Sequence, residues 1–116
     1  MKDVFGKIQY KDKEYRLVFN LNVMEVIQEE YGTIEHWGEI TDASEGEEPN
    51  MKAVIFGFKE MLNEAIDMEN DENGTQIPML THKQVGRMIT EIGLDEVAEQ
   101  LNSTVVESVK SDEKNA

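Results

Sequence analysis

The stretch that most constrains the fold is Met51–Met68, MKAVIFGFKEMLNEAIDM, the densest apolar run in the chain. Met51, Ile55, Phe58, Leu62 and Ile66 recur at steps of four and three, the spacing of one face of an α-helix. Val54, Met61 and Ala65 widen that stripe, and Lys52, Lys59, Glu60, Asn63, Glu64 and Asp67 fill the remaining arc. The pattern predicts a central helix, buried over much of its circumference and wet along a narrow strip. Pro49 suits its first turn, where a missing N–H costs nothing. Gly57 costs about 1 kcal/mol against alanine in a helix interior, so a close packing contact is expected there. Plain core is the simple reading of the stripe. A Met- and Phe-rich groove open to a partner is the alternative.

The rest of the chain supplies elements to surround that helix. Val4–Tyr10 and Glu14–Phe19 alternate loosely around the polar turn Lys11-Asp12-Lys13, which reads as a β-hairpin. Tyr15, Leu17 and Phe19 fall on one face of it, Arg16 and Val18 on the other. An isolated hairpin is marginal in water, so it must lie against helices. Asn20 or Asn22 caps a helix carrying Leu21, Met24, Ile27 and Tyr31, and Gly32 stops it. Thr33 caps a short helix with Trp37 as a core anchor and His36 at the surface. Thr41–Glu48 reads as an acidic loop. The central helix is expected to end near Asn70, with Asn70–Leu80 as a second loop turning at Asn73-Gly74. Thr81 caps a helix bearing Val85, Met88, Ile89 and Ile92, which Gly93 ends. A last helix opens at Leu94 and carries Val97, Leu101, Val105 and Val109. The expected fold is α+β and mainly α: an N-terminal β-hairpin packed on a bundle of four to five helices around a central helix near residues 51–68. Residues 1–110 are expected to form a single globular domain, and residues 111–116 a disordered polar tail.

Composition then narrows the function. A chain of 116 residues can bury a real core. The absence of cysteine removes disulfides, thiol nucleophiles and cysteine metal sites, and fits a reducing cytoplasm. No apolar run is long enough to span a bilayer, and MKDVFGK lacks the apolar core of a signal peptide, so neither membrane insertion nor export is expected. With 25 acidic against 11 basic residues the net charge is −14, which argues against nucleic-acid binding. The charge is uneven: five bases and three acids give the first twenty residues +2, so the remainder holds −16. That asymmetry offers head-to-tail association of copies as a homo-oligomer; solubility is the simpler reading. Glu69–Gly74 resembles the opening of an EF-hand, but the twelfth position is Leu80, where a bidentate glutamate is required. His36 and His82 are the only histidines and stand in no zinc spacing; neither a nucleophile turn nor a phosphate-binding glycine loop occurs. The residues thus point to no enzyme, no cofactor and no metal.

The run Tyr15–Gly32, YRLVFNLNVMEVIQEEYG, resembles the opening of phage tail assembly chaperones. These are small acidic proteins of long-tailed bacteriophages and of prophages in Gram-positive bacteria. In them a short β element leads into a helix with a hydrophobic–Met–Glu–x–hydrophobic pattern ending in Tyr/Phe-Gly, followed by a Trp turn, an acidic loop and a long apolar helix. Ile77–Thr81 and Val85–Ile89 are similar to the second half of that pattern. The likeness spans roughly residues 14–109 and rests on apolar and turn residues without a catalytic signature. It implies a chaperone that binds the tape measure protein and keeps it soluble while tail tube subunits polymerise, with the tail tube protein as a second partner. It also implies action in the bacterial host cytoplasm and absence from the mature virion. The expected client-binding residues are Val54, Phe58 and Met61. Many members have a longer, frameshifted form, and Glu113-Lys114-Asn115 is encodable by a slippery heptamer. Two alternatives stand beside this reading: a structural tail or connector subunit, and an acidic DNA mimic that inhibits a nucleic-acid enzyme.

Overall fold

A two-residue turn sets the hairpin. The computed structural model of the protein describes residues 4–42 and 48–114, and the side chains of residues 6–42 and 48–105. Strands β1 (Val4–Tyr10) and β2 (Lys13–Phe19) pair antiparallel from Val4↔Phe19 to Tyr10↔Lys13. Lys11 and Asp12 alone make the turn, with φ of 48° and 62°, the left-handed pair that type I′ hairpins demand. Lys13, expected in the turn, is therefore the first residue of β2. Leu17, Val18 and Phe19 are all buried, so this end of the hairpin is covered on both faces.

The first four helices begin where a side-chain oxygen takes an orphan N–H. Asn20 Oδ1 accepts from Val23 N at 3.2 Å and opens α1 (Leu21–Tyr31). Thr33 Oγ1 accepts from His36 N at 2.9 Å and opens α2 (Ile34–Thr41). Asn50 Oδ1 accepts from Ala53 N at 3.0 Å and opens α3 (Met51–Asn73). Thr81 and Gln84 form a reciprocal capping box at α4 (His82–Ile92), and α5 (Leu94–Lys114) follows Gly93. The architecture is as expected: five helices among the described residues, with a two-stranded hairpin against them.

Several boundaries differ from expectation. Pro49 lies buried one residue before the cap of α3 instead of in its first turn. Thr41 ends α2, and its hydroxyl donates to the Trp37 carbonyl at 2.9 Å; of the expected acidic loop, residues 43–47 lie outside the described residues. α3 runs past Asn70 to Asn73, since no glycine or proline interrupts it before Gly74, which takes the left-handed conformation (φ 64°, ψ 29°) and ends it. Glu69–Asn73 is thus the last turn of a helix and not an ion-binding loop. At the other end α5 continues to Lys114, so residues 111–114, expected as tail, prolong the helix; neither glycine nor proline follows Gly93. Asn115 and Ala116 lie outside the described residues.

α3 is enclosed from both sides. Its apolar face, with Val54, Phe58, Met61 and Leu62, meets Leu17 and Phe19 of β2, Ile27 of α1, Val85 of α4 and Leu101 of α5 in one core. α5 also covers the hairpin so closely that a Cβ on Gly6 would lie 2.9 Å from Thr104 Oγ1. On the opposite side of α3, residues 75–80 run back along the helix as an extended segment. Asn70 donates to the Ile77 carbonyl (3.1 Å) and accepts from Ile77 N (2.9 Å). Asn63 does the same with Leu80, at 3.0 and 2.8 Å. Two helical turns rise about 10.5 Å over seven residues, and three extended residues span about 10 Å. The match lets one helix line present two amides in register with an extended chain.

Trp37 fixes how α2 meets α3. It is 1% exposed, and its indole Nε1 donates to the Ala53 carbonyl at 3.0 Å. Its six-membered ring covers Gly57, one turn later, where an added Cβ would fall 2.2 Å from Trp37 Cζ2. Gly57→Ala should therefore destabilise by about 3 kcal/mol in urea unfolding, although alanine is the better helix former. Tyr31 makes a second prediction. Its ring meets Phe56 edge-on at 5.5 Å, but its hydroxyl is buried with no hydrogen-bond partner among the described residues. Burial, and then the Glu30 carboxylate, raises its pKa above 10.0. The unfolded chain loses this proton first, so stability falls as pH climbs from 10.0 through the higher folded value. Tyr31→Phe should stabilise by about 1 kcal/mol at neutral pH and remove this alkaline loss, both read by urea unfolding.

Candidate functional site

An apolar hollow lies between the first turns of α3 and the middle of α4. Met51, Val54 and Ile55 line it from α3, Gly86, Ile89 and Thr90 from α4, and Leu94 closes it from the start of α5. Spacings of three and four put each helix's contributors on one face. The cavity measures about 370 Å³, within the roughly 300–1,000 Å³ range of ligand sites. None of its lining residues is titratable. The Thr90 hydroxyl donates back to the Gly86 carbonyl at 2.9 Å, so that polar group is already satisfied. Met51 is 46% exposed at the mouth.

Gly86 lies in the wall of the hollow. It sits mid-way along α4, where glycine costs about 1 kcal/mol against alanine. A Cβ there would meet just Ile55 Cδ1, at 3.7 Å, an ordinary contact. Gly57 is dictated by the tryptophan over it, but nothing within the described chain demands glycine at 86. What its missing side chain leaves is space.

The expected client residues fare differently from this hollow. Val54, Phe58 and Met61 have no exposed surface, so they cannot form an open groove together. Val54 is the floor of the hollow; Phe58 and Met61 belong to the core, because the helix turns about 100° per residue and points them at the hairpin and α1. The open positions lie at the edge of the apolar stripe, in Met51 and Ile55, and across from them on α4. A sequence signal for them existed: an interior glycine, Gly86, one turn before Thr90 on a helix with a clear apolar face.

A second hollow, about 210 Å³, is lined by Val23, Val26, Glu60, Glu64, Asp67 and Met79, among others. Its best-placed carboxylate is engaged: Glu64 Oε2 accepts from Asn20 Nδ2 at 2.6 Å and Asn22 Nδ2 at 2.9 Å, tying the start of α1 to α3. Among the described residues no group of three or more acidic or histidine side chains is placed to hold a metal ion, and no helix is long and apolar enough to cross a membrane. Against known protein families, curated proteins and solved structures, the chain finds no match.

The division between core and mouth is testable. Phe58→Asp buries an unpaired charge and should cost at least about 3 kcal/mol. Met51→Asp replaces an exposed first-turn residue, where a carboxylate also suits the helix dipole, and should change stability by less than about 0.5 kcal/mol. Chemical denaturation of the two variants reads the contrast.

Proposed function

We propose that this chain is a tail assembly chaperone of a long-tailed phage or prophage, binding the tape measure protein and keeping it soluble while the tail tube assembles. The observation that carries the reading is the open apolar hollow, free of titratable lining groups, on a chain of net charge −14. An aggregation-prone helical client needs two things from such a partner. Its exposed apolar side chains must be taken out of water, which a groove between helices does through anchors spaced as on one helix face. The complex must then repel its copies, which a strong net charge of one sign provides. The resemblance across residues 14–109 supplies the identity of the client, with the tail tube protein as a second partner. On this reading the protein acts in the host cytoplasm, has no catalytic step and leaves before the virion is complete.

Coexpression with the tape measure protein of the same phage or prophage checks it. The expected result is several-fold more soluble tape measure protein, copurification of the two, and no copies of this chain in purified particles. Unchanged solubility with no copurification ends the chaperone reading. Retention in mature particles at fixed stoichiometry identifies a structural tail subunit instead.

A further inference from the structure

We infer that Asn63 and Asn70 of α3 form a rail for an extended main chain, which residues 77–80 fill as a built-in competitor. The outside ligand is an extended peptide with a basic residue at the place of Met79. The site lies on a different stretch of α3 from the hollow beside Met51 and does not rest on the chaperone reading.

A carboxamide carries a donor and an acceptor side by side, matching the carbonyl and N–H that one extended residue presents. Asn70 takes both groups of Ile77, at 3.1 and 2.9 Å, and Asn63 both groups of Leu80, at 3.0 and 2.8 Å. None of the four bonds uses a side chain of residues 77–80, so any extended segment offers them equally. Between the two anchored residues, Pro78 has no N–H to give and none is asked for. A helix could not take this place, because its own N–H and C=O groups are bonded internally. Side chains therefore decide which segment stays on the rail.

The resident segment draws little from its side chains. Ile77 and Leu80 are half-buried, and Thr75, Gln76, Pro78 and Met79 are exposed. Met79, 45% exposed, lines the 210 Å³ hollow together with Val23 and Val26 of α1. From α3 the same hollow receives Glu60, Glu64 and Asp67, whose steps of four and three put three carboxylates on one helix face. Lys59, 3.7 Å from Glu60, offsets one of them. The amides of Asn20 and Asn22 that bond Glu64 carry no charge, so two negative charges remain around a thioether that cannot answer them. A lysine at that place would lay its methylene stem along the valines and carry its ammonium to the carboxylates. A rival reading Ile-Pro-Lys-Leu keeps all four main-chain bonds and adds this pairing. Because the rail is filled from within, such a rival meets an affinity reduced by the fraction of time the rail stands open.

Fluorescence anisotropy with the full chain tests this, using end-capped, labelled hexapeptides built on residues 75–80, TQIPML. In two probes lysine or glutamate replaces the methionine, giving TQIPKL and TQIPEL. TQIPKL should bind at least about tenfold more tightly than TQIPEL, and the gap should narrow as salt rises. Ile77→Ser weakens the resident segment without touching the amides. Hydrogen exchange at the Leu80 N–H should quicken, and TQIPKL should bind about tenfold more tightly than to the parent chain. Met79→Lys should do the opposite on both counts. Asn70→Ala also frees the resident segment, yet it should abolish peptide binding, which loss of a merely structural contact would not do. Should that variant fail to fold, Asn70→Asp, which keeps the size and loses the donor, takes its place and should weaken TQIPKL about tenfold. Equal binding of the two probes overturns the charge assignment, and binding indifferent to Asn70 overturns the rail. An Ile77→Ser chain whose Leu80 N–H exchanges freely but which binds no TQIPKL overturns the whole proposal.

Discussion

The structure depends on one contact between a tryptophan and a glycine. The Ala53 carbonyl closes its own helical turn on the N–H of Gly57 and has a second lone pair to offer; the Trp37 indole takes it at 3.0 Å. That bond lays the ring along the helix surface, and the absence of a side chain at Gly57 lets it lie flat. A buried tryptophan needs a partner for its N–H, and here the partner is the backbone of the element it packs on. The angle and height of α2 against α3 follow, and Thr41, bonded to the Trp37 carbonyl, closes α2 beneath the same contact. Without the pairing, α3 would have a core face but no fixed neighbour on that side.

The opposite side of α3 is organised by amides. Asn63 and Asn70 each make the two hydrogen bonds that a strand neighbour would make, so six residues without regular structure are held as firmly as an edge strand. This explains how a helix so long remains enclosed in a chain of this size: its wet face is covered by a segment bonded to it, and Glu64 ties its flank to the start of α1. The acidic character of the chain is accommodated on the outside. Among the described residues no carboxylate is buried.

With α3 held on both sides, an apolar hollow remains beside its first turns, where Gly86 of α4 faces Ile55. The two interior glycines divide the work of the helix pair. Gly57 allows the Trp37 ring to lie on α3, whereas a Cβ at Gly86 would make an ordinary contact with Ile55.

The sequence by itself determined the elements and nearly all their starts. Caps at Thr33 and Thr81, and at one of the two candidates Asn20 and Asn22, and stops at Gly32 and Gly93 are local chemistry, in which one oxygen or one missing Cβ decides where a helix ends; the fold chooses Asn20. The periodicity of Met51–Met68 likewise named the central helix. Its end was misread because Asn70 and Asn73 look alike in sequence, and only Gly74 takes the left-handed turn. The site was legible only in part. A stripe of apolar residues shows that a face is buried but not which edge of it stays open: Val54, Phe58 and Met61 are wholly buried, while Met51 and Ile55 of the same stripe line the hollow. Only the tertiary structure could tell Gly57 from Gly86, since both are glycines inside amphipathic helices. The physical reason is that steric demand is a property of what lies across the gap, and that neighbour, the Trp37 ring at 2.2 Å in one case and the tip of Ile55 at an ordinary 3.7 Å in the other, is brought there by the fold and not by the chain.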